Sequence, residues 1–212
     1  MIGIILPTRG LLFSEVLEGV EKNRKNYETE LFISSNLPIP EAQNHLVAQA
    51  LANSSITHLW MVEEDTVPFA RALEKLLQSD EDIVAIDYGV AGWSCITKDK
   101  TGEILWVGLG CTLVKRTVFE GLEKPWFRTD KSLRLNDWQW IDNPAKYGTL
   151  DIWFCTKAKE AGFKIKQIKG ECKHLQFDEI GKKEHNDGIH KISQKPMISK
   201  HQTIEEGGDN YG

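Results

Sequence analysis

The sequence predicts an α/β protein, with a mainly parallel sheet in its first half and a mixed or antiparallel second half. Three observations support this prediction. Strand-like and helix-like apolar segments alternate as far as residue 88. One apolar strand segment ends in three consecutive carboxylates, Glu63, Glu64 and Asp65. After Asp87, glycines separate short apolar segments, which is typical of antiparallel pairing.

The elements of the first half follow from hydrophobic periodicity. Continuous apolar runs predict buried strands, and apolar residues at helical spacing predict helices. In chain order, the predicted elements are a strand at 2–6, a helix at 12–26, a strand at 29–34, a helix at 41–53, the strand before Glu63, a helix at 69–78 and a strand at 83–86. We expect Pro68 to open the third of these helices.

The second half is divided by turn residues. The stretch 98–102 predicts a hairpin turn, and 128–147 has no clear periodicity, so we expect a functional or mobile loop there. The other predicted elements are strand-like segments at 93–97, 104–107 and 111–115, helices at 117–122 and 150–161, and strands at 163–168 and 172–175. Gly162 should end the last helix as a C′ glycine.

Length and composition exclude several classes of protein. We expect one domain over 1–180, with halves at 1–88 and 89–180, and a polar tail over 181–212. A net charge of -5 argues against a general nucleic-acid surface. No apolar run approaches the roughly 20 residues of a membrane helix. The four cysteines are scattered, which argues against a thiolate zinc site and indicates a cytoplasmic setting.

The carboxylates at 63–65 are the strongest functional signal. An unpaired carboxylate is expensive to desolvate, so these charges should lie just past the strand, at the mouth of the sheet. Since side chains alternate along a strand, Glu63 and Asp65 should point to one side and Glu64 to the other. Convergent carboxylate oxygens suit Mg²⁺ or Mn²⁺. The alternative is an acidic turn in which Asp65 or Thr66 caps the next helix.

An ordered set of motifs extends this signal. The acidic motif is followed by 108–119 (GLGCTLVKRTVF), 125–127 (PWF), 151–155 (DIWFC) and Lys173-His174. This order resembles the GT-A fold glycosyltransferases, a nucleotide-sugar-dependent family with a D-x-D metal motif, and is most similar to their small bacterial and viral members. The resemblance covers residues 1 to about 176. It implies a Rossmann-type sheet with helices on both faces, followed by a mixed acceptor half.

The resemblance also implies a reaction. A sugar would pass from a nucleotide-diphosphate donor to an acceptor hydroxyl, with Mn²⁺ or Mg²⁺ on the diphosphate. Glu63 and Asp65 match the outer positions of the acidic motif, and Asp65 is the safer metal ligand because Glu63 departs from the usual residue type. His174 matches a histidine that often completes the metal shell, with His185 and His190 as competitors. Asp151 matches the base of inverting members.

The remaining site predictions concern the nucleotide and the acceptor. The resemblance implies nucleotide contacts from the loop Pro7, Thr8 and Arg9, from Asn44 and from Glu64. Gly108 and Gly110 would let the backbone approach the donor sugar, as glycine does near ligands. A surface turn, a solvated helical Asn and ordinary turn glycines are the alternatives. Trp138 and Trp140 are candidates for an acceptor site or lid, and Asp137 and Asp142 for alternative bases.

Two other functions stay open. A sugar-1-phosphate nucleotidyltransferase shares a nucleotide-binding α/β half, but its loop after the first strand is usually glycine-rich, and 6–10 holds a single glycine. A non-catalytic glycan- or partner-binding domain of the same fold is the other, because Glu63 and Leu150 depart from the family pattern. The acceptor could be a glycan, a lipid-linked group, a protein or a modified nucleobase.

Overall fold

The computed structural model describes residues 1–10, 12–90, 93–146 and 148–175. Their main feature is one mixed sheet of eight strands, with helices on both faces. The elements in chain order are β1 Ile2–Pro7, α1 Ser14–Arg24, β2 Thr29–Ser34, α2 Ile39–Ala52, β3 His58–Val62, β4 Thr66–Val67, α3 Ala72–Leu77, β5 Ile83–Val90, β6 Trp93–Ser94, β7 Ile96–Lys98, β8 Ile104–Val107, β9 Cys111–Lys115, α4 Arg116–Gly121, β10 Lys131–Arg134, β11 Gln139–Asp142, α5 Leu150–Glu160 and β12 Ile165–His174.

The first half is the predicted parallel unit. β1 pairs in parallel with β2 on one side and β3 on the other, so that Ile4 lies opposite both Leu31 and Trp60. The connections from β1 to β2 and from β2 to β3 each contain a helix, as parallel strands require. All of β1 is buried, which explains why it has no polar face in the sequence.

The second half inserts an antiparallel strand into the sheet. β9 lies between β3 and β5 and runs antiparallel to both, and β12 is parallel to β5. The central order is therefore β2-β1-β3-β9-β5-β12-β4. β3, β5 and β12 point the same way and end at the same edge of the sheet. The predicted α/β fold, with a parallel first half and a mixed second half, is confirmed.

Alternate residues of the central strands feed two cores. Trp60 and Val84 face the core under α1 and α3, whereas their neighbours Met61 and Ala85 face the core under α2, α4 and α5. Fully buried side chains from β3 thus contact helices on both faces. This is why the strand shows a continuous apolar run that ends only at Glu63.

Two expectations for the stretch after the carboxylates are wrong. Thr66 and Val67 form β4, which pairs antiparallel with β12 so that Thr66 lies opposite His174. The next helix begins at Ala72, after Arg71 in a left-handed conformation, so Pro68 does not open it. Neither Asp65 nor Thr66 caps a helix, because Thr66 pairs with His174 in the sheet and α3 begins only after Arg71. The alternative of an acidic helix-capping turn is excluded.

Two boundaries in the second half also differ from the prediction. The stretch expected to be a loop contains the hairpin β10–β11, in which Leu133 lies opposite Trp140. Its four-residue strands are too short to give a periodic signal. The two strands expected near the end are one strand, β12, with a shift of register between Ile168 and Glu171. The predicted hairpin turn at 98–102 is confirmed, since β7 and β8 pair across it.

The C-terminal predictions fall beyond the part of the chain that the structure describes. The tail 181–212, the boundary at residue 180, and His185 and His190 all lie outside the described residues. Within the described ranges, no helix combines the length and the apolar character that crossing a membrane requires.

Arg116 joins the end of α2 to the start of α4. Its guanidinium donates hydrogen bonds to the carbonyls of Leu51 at 2.7 Å, Asn53 at 2.9 Å and Ile56 at 3.2 Å. The last carbonyls of a helix have no partner within it. Arg116 therefore bonds Leu51 in the last turn of α2, and also two carbonyls of the chain that follows the helix.

We predict that Arg116→Met lowers the free energy of unfolding by about 2–3 kcal/mol, because it removes a charged donor from three partly buried carbonyls. Urea denaturation measures this change. Arg134→Met is the matched control: Arg134 pairs with Asp137 on the surface, and its loss should change stability by at most about 1 kcal/mol. Equal effects of the two substitutions would contradict the assignment.

Candidate functional site

A cavity of about 640 Å³ opens at the edge of the sheet where β3, β5 and β12 end. Ligands of open α/β sheets bind at this edge, outside the carboxyl ends of the strands. The cavity wall contains seven of the predicted site residues: Pro7, Arg9, Glu63, Glu64, Asp65, Asp151 and His174. Residues more than 160 positions apart in the chain therefore meet in one site, as the ordered motifs suggested.

Glu64 holds the loop that follows β1. Its carboxylate accepts hydrogen bonds from Arg9 Nε at 2.5 Å and from the Arg9 backbone N–H at 2.7 Å. Glu64 is only 3% exposed, so this ion pair is well protected from water on the carboxylate side. Arg9 Nη2 also lies 3.8 Å from Asp65 Oδ2. The guanidinium is thereby fixed beside the acidic motif.

Asp65 and His174 are brought together by the pairing of β4 with β12. His174 Nε2 lies 3.7 Å from Asp65 Oδ1, and the Leu175 N–H donates to the Asp65 carbonyl at 2.7 Å. Burial raises the pKa of Asp65, and the nearby His174 acts in the opposite direction. His174 Nδ1 is buried and has no hydrogen-bond partner among the residues that the structure describes. The pair is thus a carboxylate and an imidazole held side by side.

Glu63 and Asp151 form the other acidic part of the wall. Glu63 Oε2 accepts a hydrogen bond from the Tyr88 hydroxyl at 3.2 Å. Burial, and then the charges of Asp151 and Asp65, raise the pKa of Glu63 well above its ordinary value. Asp151 lies in the first turn of α5, and burial raises its pKa to about 7. The residue is half-buried as a whole, but its Oδ1 is buried and no described residue forms a hydrogen bond with it.

Carboxylates outnumber cations in the cavity wall. In the described part of the chain, the wall contains five carboxyl groups, Glu41, Glu63, Glu64, Asp65 and Asp151, and two cationic side chains, Arg9 and Lys146. Of the two cations, Arg9 already pairs with Glu64. Where these carboxyl groups are ionised, the wall repels a bare diphosphate and attracts a cation. A phosphate ligand would therefore need a counter-charge that comes with it.

The donor set can be tested against a divalent metal. Within residues 1–10, 12–90, 93–146 and 148–175, no group of three or more His, Cys, Asp or Glu side chains converges closely enough to hold a metal ion. Asp65 and His174 provide one carboxylate and one imidazole. Mg²⁺ is usually bound through one or two carboxylates together with waters and substrate phosphates, and Mn²⁺ also prefers carboxylates. The residues fit an ion that arrives with a diphosphate, and not one held by the protein alone.

The other predicted nucleotide contacts lie behind the wall. Asn44 donates to the Pro40 and Phe127 carbonyls and accepts from the Trp126 N–H, so it ties α2 to the chain after α4. Thr8 is buried, and its hydroxyl accepts from the Gly10 N–H at 3.0 Å. The structure does not bring these two side chains to the cavity surface.

Gly108 and Gly110 lie against a side chain that the sequence did not single out. A Cβ on Gly110 would lie 2.7 Å from Tyr88 Cζ, and one on Gly108 would lie 2.8 Å from the same atom. The room that these glycines leave is therefore filled by Tyr88. Periodicity placed the end of β5 at Ile86, whereas the strand continues to Val90 and carries Tyr88 into the wall. The sequence could have indicated Tyr88, because it follows a predicted strand whose carboxyl end should lie at the same sheet edge as Glu63.

Lys146 was also missed. It lies in the wall near the start of α5, in a left-handed conformation with φ 50°, followed by Gly148 at 66° and Thr149 at 68°. No periodic signal marks such a segment. Trp140 packs edge-on against Trp153 of α5, with ring centroids 4.8 Å apart, whereas Trp138 is exposed at the tip of the hairpin. Neither tryptophan lines the cavity.

Comparison with known proteins gives likeness of fold only. The chain matches no family model and no curated protein. Among solved structures it is similar to A197 from STIV, with a TM-score of 0.60, 17% sequence identity, and coverage of 87% of this chain and 98% of that chain. At this identity the likeness shows a shared fold and nothing about activity.

Two weaker matches are described as transferases. The catalytic domain of Drosophila beta1,4-galactosyltransferase 7, solved with xylobiose, has a TM-score of 0.49 and 19% identity, covering 78% of this chain and 63% of that chain. A provisionally assigned nucleotide-diphospho-sugar transferase from Desulfovibrio desulfuricans G20 has a TM-score of 0.43 and 10% identity, covering 82% and 81%. These scores are too low to carry an argument.

We predict that Asp151→Asn stabilises the protein more at pH 8 than at pH 4. Native Asp151 keeps its proton up to a pKa of about 7, whereas an unfolded Asp loses it near about pH 4. The unfolded state therefore binds fewer protons in this interval, and stability falls as pH rises. The variant should exceed the wild type by up to about 4 kcal/mol at pH 8 and by little at pH 4 in urea denaturation.

Asp142→Asn is the matched control, because the Asp142 side chain is 88% exposed on the β10–β11 hairpin. It should differ from the wild type by a similar small amount at both pH values. If Asp151→Asn behaves in the same way, then the Asp151 carboxyl is not held in its neutral form by burial.

Proposed function

We propose that the protein is a divalent-metal-dependent glycosyltransferase, which moves a sugar from a nucleotide-diphosphate-sugar to an acceptor hydroxyl. The observation that carries this proposal is the meeting of Asp65 and His174 with the buried Asp151 in one acidic cavity at the carboxyl edge of the sheet. The ordered motifs that resemble the GT-A family support it independently. We further propose that residues 1–180 form one domain, with the nucleotide on 1–88 and the acceptor on 89–180.

The donor would bind with its diphosphate near Asp65. Asp65 and His174, with Glu63 beside them, would hold Mn²⁺ or Mg²⁺ only together with the waters and diphosphate oxygens that arrive with the ion. The ion would supply Lewis-acid assistance to a departing diphosphate. Arg9 and Lys146 can meet the phosphate oxygens directly, and guanidinium is well suited to that contact. Pro7 would face the nucleotide from the loop after β1. Glu64 would act through Arg9, whose position it fixes.

The residues behind the wall would support the donor site indirectly. Thr8 fixes the turn that carries Arg9, through the hydrogen bond from Gly10. Asn44 fixes the segment after α4 against α2, and the N-terminal residues of α2 line the cavity. Gly108 and Gly110 leave the space that the ring of Tyr88 fills, so their backbone can lie directly behind this residue of the cavity wall. We therefore propose supporting roles for Thr8, Asn44, Gly108 and Gly110 in place of direct contacts with the donor.

Asp151 would act as the general base if the reaction inverts the anomeric carbon. A base works best when its pKa lies near the operating pH, and burial raises the pKa of Asp151 to about 7. Its carboxylate would take the proton of the acceptor hydroxyl. The acceptor oxygen then forms a bond to the anomeric carbon, while the bond from that carbon to the diphosphate oxygen breaks. The acceptor remains one of the four classes given above.

The donor site is tested by calorimetric titration with UDP, GDP, CDP and dTDP, each with Mn²⁺ and with EDTA. We expect one diphosphate to bind tightly with Mn²⁺ only, because the acidic wall repels the bare anion. Asp65→Ala should abolish this binding, whereas Asp137→Ala, in an exposed pair outside the cavity, should not change it. Failure of all four diphosphates with folded wild-type protein would reject the assignment and favour a non-catalytic binding domain.

The catalytic role is tested by donor turnover. Asp151→Asn should lower the release of nucleoside diphosphate from the matching nucleotide sugar by about 10²-fold or more, and leave Mn²⁺–diphosphate binding unchanged. Wild-type turnover should rise as the pH passes about 7, because Asp151 then loses its proton. Unchanged turnover in the variant would contradict the role of Asp151. Inorganic diphosphate as the product would instead indicate a sugar-1-phosphate nucleotidyltransferase.

A further inference from the structure

Tyr88 contacts two of the proposed metal ligands at once. It is 3% exposed, and its hydroxyl donates a hydrogen bond to Glu63 Oε2 at 3.2 Å. Its ring stacks on the His174 imidazole, with centroids 5.8 Å apart and planes inclined by 13°. Glu63 follows β3 and His174 ends β12, so a side chain of β5, between them in the sheet, joins the two sides of the site.

The direction of the Tyr88 hydroxyl is fixed by a second partner. The Gly110 N–H donates a hydrogen bond to Tyr88 Oη at 3.1 Å. A phenol has a single proton to donate; it goes to Glu63 Oε2, while the lone pairs of the same oxygen accept from the Gly110 N–H. The hydrogen bond takes up Glu63 Oε2 and leaves Oε1 for a ligand in the cavity.

The surroundings of Tyr88 are shaped to keep the ring in this place. Gly108 and Gly110 both lie so close to the ring that a Cβ at either position would come within 3 Å of Tyr88 Cζ. The backbone N–H of Tyr88 donates to Cys95 Sγ at 3.4 Å. A buried tyrosine hydroxyl needs a hydrogen-bond partner in any case. Here the acceptor is a carboxylate of the cavity wall, and the ring is stacked on a histidine of the same wall.

We infer that Tyr88 is a positioning residue, which orients the Glu63 carboxylate and the His174 imidazole for a divalent cation that carries a nucleoside diphosphate. This inference rests on the function proposed above. Groups that hold a metal ligand in one orientation strengthen binding, because less freedom is lost when the ion arrives. The stack also limits rotation of the ring whose Nε2 lies 3.7 Å from Asp65.

The test is the Mn²⁺ affinity of Tyr88→Phe, measured by the electron paramagnetic resonance signal of free Mn²⁺ in the presence of UDP, GDP, CDP or dTDP. Phenylalanine keeps the ring and the stack and removes only the hydroxyl. We expect the Mn²⁺ dissociation constant to rise about tenfold, as for other residues that orient metal ligands. Tyr27→Phe is the matched control, since Tyr27 lies between α1 and β2, away from the cavity, and should leave the constant unchanged.

A double-mutant cycle shows whether the hydroxyl acts through Glu63. Tyr88→Phe should weaken Mn²⁺ binding much less in a Glu63→Gln background than in the wild type, because the group that it orients has already changed. Additive effects of the two substitutions would overturn the route through Glu63. Thermal unfolding of each variant reports any loss of stability separately from the change in Mn²⁺ affinity.

The outcomes separate the inference from the proposed function. If the wild type binds a Mn²⁺–diphosphate and Tyr88→Phe binds it within twofold as tightly, Tyr88 has a packing role only, even if its melting temperature falls. That result overturns the inference and leaves the proposed function standing. If the wild type binds none of the four diphosphates with Mn²⁺, both are overturned, since there is then no ion to position.

Discussion

The antiparallel strand β9 decides where the functional groups of this protein can meet. It pairs with β3 on one side and β5 on the other, in the opposite direction to both. As a result β3, β5 and β12 run the same way, and their carboxyl ends meet at one edge of the sheet. The acidic motif, Tyr88 and His174 each lie at one of those ends. Strand direction thus assembles a site from three distant segments.

The site that results brings several buried carboxyl groups close together. Burial raises the pKa of Glu63, Asp65 and Asp151, and neighbouring carboxylates raise the pKa of Glu63 and Asp65 further. Charges of like sign brought together in this way lower the stability of the apo protein. A divalent cation would relieve that repulsion and would also be required for a diphosphate to enter. Binding of the ion and binding of the donor should therefore be strongly coupled.

Local signals in the sequence were sufficient for much of the fold. The buried runs of β1 and β3, the helical spacing of α2 and the C′ glycine at Gly162 are properties of neighbouring residues, and the structure has them close to where they were predicted. The carboxylates at the end of β3 indicated the correct edge of the sheet. A buried strand followed by acids is informative, because unpaired carboxylates are too expensive to desolvate for the strand to continue through the core.

The features that the sequence could not predict depend on contacts between distant segments. β4 forms only because β12 passes beside it, and its two residues have no periodicity of their own. Gly108 and Gly110 were recognised as unusual, but the reason for them is the ring of Tyr88, about 20 residues earlier in the chain. The hydrogen bonds of Asn44 to the segment after α4 are of the same kind. Such pairings leave no pattern along the chain.

The central claim is that a divalent cation and a diphosphate share the place beside Asp65 and His174. Anomalous diffraction at the manganese edge, from crystals grown with Mn²⁺ and the diphosphate that the protein binds, tests it directly. The account predicts an anomalous peak in contact with Asp65 and with diphosphate oxygens, on the side that His174 faces. A diphosphate bound in the cavity with no anomalous peak at Asp65 would contradict it.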